Sequence, residues 1–280
     1  MKLRFANLFL TAIPMFLAGT AFAATTSINT GSLGSAANGS NSDTVTTTTG
    51  VLGGSDRAAG YASDTTALTT IPFQSGLNPA SGSAFTIEFW ANPASTAANP
   101  NSSPVSNRVS TNPRSGWAFF QRTNAWSFIM YSGTGTAAGW DLTGGTATLN
   151  EWSHVVATWN GSAAALYVNG VLADDTNAGG LSGIYNASTT ATFGVGGITN
   201  VVGDNSPFRG GSVDEVAFYG SALTPAQILN HYNLATSNPD VYHATVLADG
   251  ALLQLTNVPE PTTALLAGLG GLALLRRRSR

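Results

Sequence analysis

Between residues 51 and 236, short apolar runs alternate with clusters of Gly, Asn, Ser and Pro. That punctuation allows strands and turns and leaves little room for long helices, so it constrains the chain to an all-β sandwich or barrel. The clearest strand is Phe85-Thr86-Ile87-Glu88-Phe89-Trp90. Side chains alternate across a strand, which puts Phe85, Ile87 and Phe89 on the core face and Thr86 and Glu88 on the other. Asn92-Pro93 stops it, and the polar, proline-bearing stretch from Ser95 to Ser115 reads as a long surface loop. Residues 117–121 and 126–131 read as strands joined at Thr123-Asn124. Residues 152–159 and 164–168 pair around Asn160-Gly161, and Asn169-Gly170 turns the chain into Val171-Leu172. A late strand runs from Val213 to Tyr219.

One helix follows that strand. Thr224 is a good N-cap, Pro225 suits the first helical position, and Gln227 completes a capping box. Ile228, Leu229 and Tyr232 supply its apolar face, with His231 toward solvent. Residues 241–247 and 251–255 read as a final hairpin across Ala248-Asp249-Gly250. Residues 24–54 are rich in Thr, Ser, Gly and Asn, bury little, and are expected to be a loosely ordered segment or irregular edge.

Both ends stand apart from the folded region. Lys2 and Arg4 precede a mostly apolar run from Leu8 to Ala18, and Ala21-Phe22-Ala23 offers a small-x-small cleavage pattern. Residues 1–23 therefore read as a secretory signal peptide. The alternative, a membrane anchor, needs ~20 apolar residues. At the other end, Val258-Pro259-Glu260-Pro261 leads into an apolar run from Ala264 to Leu275, then Arg276-Arg277-Arg278-Ser279-Arg280. That run is short for a stable span, and the arginines would hold the end on the cytoplasmic side. An ordinary C-terminal anchor is one reading of residues 258–280; a sorting signal that is later processed is the other.

Without its ends the chain changes character. The whole sequence carries −3, but residues 24–257 hold five arginines, no lysine and thirteen acidic residues, near −8. Such a surface repels phosphate, which excludes a nucleic-acid partner. With no cysteine there is no disulfide, thiol nucleophile or thiolate metal site, and a domain of this size can bury enough core without them.

Three ordered stretches carry a family resemblance: Phe85-Thr86-Ile87-Glu88-Phe89-Trp90; Glu151-Trp152-Ser153-His154-Val155-Val156-Ala157-Thr158-Trp159 leading to Leu166-Tyr167-Val168-Asn169-Gly170; and Val213-Asp214-Glu215-Val216-Ala217-Phe218-Tyr219 with Ala222-Leu223-Thr224 and the helix. Together they resemble a laminin-G-like domain of the concanavalin A-like jelly-roll superfamily, covering 55–236. The resemblance implies a two-sheet antiparallel jelly-roll sandwich with one short C-terminal helix, binding glycans or proteins at its loop rim, in some relatives with calcium. Residues 237–257 then form a hairpin or linker. The tail, with Pro259, Glu260 and Pro261, a short apolar helix and Arg276, Arg277 and Arg278, resembles the PEP-CTERM sorting signal of Gram-negative bacteria. This implies an exosortase-type processing enzyme as partner, transient insertion in the inner membrane, and a final place in the cell envelope, on the cell surface or in the extracellular matrix.

Chemistry is sparse. Retaining glycoside hydrolysis needs two carboxylates ~5 Å apart. Asp214 and Glu215 are adjacent and alternate to opposite faces, Asp174-Asp175 share the problem, and Glu88 has no partner two or four places away. There is no Gly-x-Ser-x-Gly elbow, and His154, His231 and His243 are scattered. Calcium wants six to eight oxygen ligands, often from loops; Asp141, Asp204 and Asp214 are the candidates, with loop hydrogen bonding as the alternative. Trp90, Trp126 and Trp140 are candidates for a sugar platform, with core packing as the alternative. The reading is a non-enzymatic surface protein that binds extracellular polysaccharide or an envelope protein; a purely structural or adhesive protein, or a glycoside hydrolase, are the alternatives.

Overall fold

The computed structural model describes residues 26–61, 66–94, 102–133, 138–175, 187–199 and 206–256. Within them, sixteen strands form two antiparallel layers. The first layer, sheet A, runs β10 (Ala138–Thr146), β9 (Ala125–Tyr131), β8 (Trp117–Arg122), β7 (Val105–Ser106), β14 (Phe193–Val195), β5 (Thr69–Ile71), β2 (Gly39–Asn41), β1 (Thr26–Asn29). The second, sheet B, continues from β1 through β16 (Ala251–Thr256), β15 (Ser212–Tyr219), β6 (Phe85–Asn92), β11 (Ser153–Trp159), β12 (Ala164–Val168) and β13 (Val171–Asp175). A short ribbon of β3 (Val45–Thr49) and β4 (Arg57–Tyr61) attaches to β15. The fold is the expected jelly-roll sandwich.

The two layers are joined at both sides. β1 pairs with β2 through Thr26 and Ser27 and with β16 through Ile28 and Asn29, so one strand belongs to both sheets. At the far side the Thr143 amide of β10 donates to the Asp174 carboxylate of β13 at 2.8 Å. Gly144 lets the strands approach this closely: a Cβ there would sit 2.5 Å from the Ala173 carbonyl oxygen.

Alternation along the strands fills the space between the sheets with Phe85, Ile87, Phe89, Trp117, Phe119, Trp126, Phe128, Val155, Leu166 and Phe218. The opposite face of sheet B is buried too. Trp90, Val156, Ala217 and Tyr219 pack there against Ile228, Ala235, Tyr242 and Val246. These last four come from α1 (Pro225–Ser237) and α2 (Tyr242–Ala248). The Thr224 capping box forms as expected, the Gln227 amide donating to Thr224 Oγ1 and the Thr224 amide to Gln227 Oε1.

Three expectations need correction. Residues 242–248 are a second helix rather than the first arm of a hairpin; the buried residues Tyr242 and Val246 stand four apart, the helical spacing, and Ala251–Thr256 enters sheet B between β1 and β15. The N-terminal segment is built into both sheets from residue 26. Ala37 and Val45 enter the core, and hydrogen bonds add to that burial: Asn29 Oδ1 accepts from the Gly31 and Gln254 amides, and Asn38 Oδ1 from the Asn29 amide. Within the supposed surface loop, Ser102, Ser103, Ser106 and Asn107 are buried, and β7 lies inside sheet A. Asn107 makes this possible by accepting from the Trp117 amide and donating to the Leu77 carbonyl.

Candidate functional site

Asp214 and Glu215 sit near the middle of β15, where neighbouring side chains should point to opposite faces. They do not, because the strand is bulged. Asp214 pairs with Trp90 and Ala217 with Glu88, so three steps on β15 match two on β6. The residue after Asp214, Glu215, takes the left-handed conformation at φ 49°. A bulge of this kind re-aims side chains and costs backbone strain in a non-glycine residue. Here it brings the Asp214 and Glu215 carboxylates together with that of Asp56, which precedes β4. One oxygen from each lies within 4.8 Å of the others.

The surroundings hold this cluster in place. The Val51 amide donates to Asp214 Oδ2 and the Leu52 amide to Asp56 Oδ2, both at 2.9 Å. Gly50 leaves the space open, since a Cβ there would fall 2.1 Å from Asp56 Oδ2 and 2.6 Å from Asp214 Oδ2. His243 of α2 closes the other side, its Nε2 lying 2.8 Å from Glu215 Oε1. Two oxygens are left over: Asp214 Oδ1 and Glu215 Oε2 are buried without a hydrogen-bond partner.

Burial, then the charges of Glu215 and Asp56, push the Asp214 carboxyl well above the usual carboxylate range. Burial also raises Glu215, against the pull of His243. The hydrogen bond to Glu215 in turn raises His243, outweighing burial. Three carboxylates gathered together, Asp214 and Glu215 buried and Asp56 partly so, demand a proton or a cation. The donors are all hard oxygens, the set that suits calcium or magnesium and not softer metals.

A second polar cluster lies between sheet B and the helices. Glu88 is fully buried, accepting from Tyr219 Oη at 2.6 Å and facing His231 Nδ1 at 2.9 Å. His231 Nε2 meets Asp249 Oδ2 at 2.9 Å. His154 stacks on Trp90, with Nε2 3.5 Å from Glu88 Oε2. Burial alone would raise the Glu88 carboxyl, but the His231 charge and the histidine contacts hold it far below its ordinary value. For His231 burial opposes the charged form, and Glu88 and Asp249 overcome it, raising the imidazole to about 8. This chain of groups ties β6 to α1 and to the turn before β16.

The residues singled out from sequence are distributed otherwise. Trp126 and Trp140 are buried between the sheets, and Trp90 lies under α1, stacked against His154 and Tyr232. None of these rings is open to a sugar face; each fills core that the surrounding strands leave empty. Of the calcium candidates, Asp214 is in the acidic cluster. Asp141 is an exposed residue of β10, paired with Arg122 at 3.0 Å. Asp204 and the tail residues Pro259, Glu260, Pro261, Arg276, Arg277 and Arg278 lie outside the described residues. His231 is buried rather than solvent-facing, because it is the partner of Glu88. Asp56 and Glu215 carry no signal of this cluster in the sequence. Strand alternation argued against Glu215, and a bulge leaves no local mark in Val-Asp-Glu-Val.

The family model of the concanavalin A-like lectin/glucanases superfamily matches residues 63–229, more than half of the chain. The chain belongs to that superfamily. Residues 257–279 of this lectin-fold protein match the PEP-CTERM protein-sorting motif, which implies export, sorting to the surface of the cell envelope and processing by an exosortase-type system. No curated protein matches. Among solved structures, the binding domain of Paraclostridial Mosquitocidal Protein 1 is similar at TM-score 0.56 and 16% identity, over 75% of this chain and 51% of that one. The binding domain of botulinum neurotoxin serotype G is similar at TM-score 0.50 and 14% identity, over 79% and 48%. The lectin-fold chain thus spans about half the length of these structures, and the likeness is one of fold. Among the described residues, no helix is long and apolar enough to cross a membrane.

Proposed function

We propose that this protein is a surface or matrix component whose lectin-fold domain binds carbohydrate or another envelope component without catalysis, and that Asp56, Asp214 and Glu215 hold a calcium ion. The observation that carries the metal assignment is the cluster itself, one oxygen each of Asp56, Asp214 and Glu215 lying within 4.8 Å of the others, together with Asp214 Oδ1 and Glu215 Oε2, which are buried without a hydrogen-bond partner. Calcium would neutralise the cluster and tie the loop before β4 to the bulge in β15 and, through Glu215 and His243, to α2. The cluster's carboxylates come close enough together for glycosidase chemistry. Asp214 and Glu215, however, are buried at 1% and 2% exposure, and a glycosidic bond needs an open groove. That favours a structural metal over an acid and a nucleophile.

The tail supports a route for the protein: transient insertion of the short apolar segment in the inner membrane, cleavage by an exosortase, then release to the surface. A purely structural or adhesive role is the second reading, favoured by the burial of Trp90, Trp126 and Trp140. Probing the exported protein on a glycan array, with calcium and with a chelator, separates the two. Binding to at least one glycan class is expected; binding to none under either condition leaves the structural role.

A further inference from the structure

Three of the five arginines between residues 24 and 257 gather on one face of a molecule whose exported part is strongly acidic. Burial keeps the Tyr131 phenol neutral, pushing it above its ordinary value, while Arg108, Arg114 and Arg122 all lie near enough to pull it down and Asp141 near enough to raise it. Asp141 is paired with Arg122. Arg108 makes no ion pair among the described residues, and its buried Nε has no hydrogen-bond partner.

The backbone explains the convergence. Residues 109 and 115 pair as an antiparallel bridge, each amide donating to the other's carbonyl. In such a ladder Arg108, Ser110 and Arg114 fall on one face, Arg108 diagonal to Arg114. The Tyr131 amide donates to the Gly116 carbonyl and the Gly133 amide to the Arg114 carbonyl, so this hairpin is laced to the end of β9. On β9, Trp126, Phe128 and Met130 point between the sheets, and Ile129 and Tyr131 point to the other side, where they form a buried cluster with Ala118, Phe120 and Ile198 that the arginines help to cover. The two guanidinium carbons therefore lie over the outer side of sheet A, 5.3 Å and 5.9 Å from the centre of the Tyr131 ring. Ser110 Oγ, on the same face of the hairpin, is buried without a partner. Both arginines are only partly covered. Burial and the neighbouring Arg114 charge both work against the charge on Arg108; an anion seated between the two guanidiniums would relieve both effects.

We propose that this outer face of sheet A binds an acidic polysaccharide, with Arg108 and Arg114 receiving carboxylate or sulfate groups of successive sugar units and Ser110 donating beside them. The proposal rests on the carbohydrate-binding reading and names its substrate class. Arginine suits the task because its planar fork meets a carboxylate or sulfate with two parallel hydrogen bonds, and Tyr131 holds both forks in place. The acidic remainder of the molecule repels a polyanion everywhere else, so recognition is confined to this face.

The test is titration of the exported protein with polygalacturonate for uronate groups, dextran sulfate for sulfate groups and plain dextran as the neutral control. Binding to one or both charged polymers is expected, weakening steeply as salt rises to ~0.5 M. Arg108→Gln and Arg114→Gln should each weaken it by at least about tenfold, the worth of one charged hydrogen-bonding pair. Arg108→Lys, which keeps a cation over Tyr131, should retain part of the binding. Melting temperatures identify any variant that fails to fold, and in that case Arg108→Lys and the salt series decide. Binding to neutral glycans alone would overturn the acidic class while sparing the lectin reading. Charged-polymer binding unchanged in folded Arg108→Gln and Arg114→Gln would overturn the location. Binding to no glycan at all would overturn both.

Discussion

Glu88 shows what a single side chain can commit a fold to. Alternation places it on the face turned away from Phe85, Ile87 and Phe89, yet it is sealed in there beside a charge-bearing partner, His231. The raised imidazole makes a pH prediction. A group whose folded pKa lies above its unfolded value stabilises fully below the unfolded value and loses that contribution as pH rises through the folded one. For His231 the contribution is complete below 6.5 and fades through about 8. The shift corresponds to about 2 kcal/mol. Chemical denaturation from pH 6 to pH 9 should show that loss, and Glu88→Gln should be less stable at pH 6 with a flatter slope. An unchanged slope in Glu88→Gln would mean another group sets it.

Asp214 gives a separate prediction. Its carboxyl is also raised, so the calcium-free protein loses stability as pH climbs above the ordinary carboxylate range and protons leave the cluster. Calcium should reverse this, by about 2.7 kcal/mol when present at a hundred times its dissociation constant. Asp214→Asn should melt higher than the parent without calcium at pH 7 and respond less when calcium is added. A parent whose melting temperature ignores both calcium and chelator would remove the metal from the account.

Among the elements, β6 is the one whose environment most departs from its pattern. Every residue from Phe85 to Ala91 is buried. Ile87 faces the space between the sheets. Thr86 faces the other way, toward the turn that leads into α1, where its Oγ1 donates to the Ser221 carbonyl and accepts from the Leu223 amide. Alternation alone makes Thr86→Asp a mild change and Ile87→Asp a severe one. The structure predicts that both are severe, each leaving a carboxylate buried without a cation at a cost of several kcal/mol. Thermal melts of the two variants should fall together; a Thr86→Asp variant melting near the parent would mean that the turn before α1 does not cover this face. The bulge in β15 belongs to the same scale. It trades a strained Glu215 backbone for three converging carboxylates, and strain of that kind is tolerated where the surroundings determine it.

For the whole molecule, folding and address are separate. The described fold ends at Thr256 in β16, and the sorting motif begins at residue 257, directly after it. Proline disfavours helix and arginine resists crossing a bilayer, and the sequence places Pro259 and Pro261 before the apolar run and Arg276, Arg277 and Arg278 after it. Replacing Pro259-Glu260-Pro261 by alanines should therefore accumulate unprocessed protein in the membrane and deplete the surface pool, leaving the fold intact. Surface protein of unchanged amount and parental mass would point to a plain anchor instead.

What the sequence determined by itself was local. Thr224, Pro225 and Gln227 specify a helix start through bonds within one turn, Asn160-Gly161 and Asn169-Gly170 specify reversals through backbone angles, and Val213 to Tyr219 announces a strand through its apolar content. The order of tail elements is likewise written in consecutive residues. Tertiary structure decided everything that depends on what lies across from a strand. It decided that α1, α2 and the turn before α1 cover sheet B and bury Thr86, Glu88 and His231; that β1 and β16 complete the sandwich despite a polar N-terminal segment; and that a bulge turns Asp214 and Glu215 toward Asp56, more than 150 residues away in the chain. Alternation states which side chains share a face, whereas burial depends on the partner that face acquires, and that partner comes from distant parts of the chain.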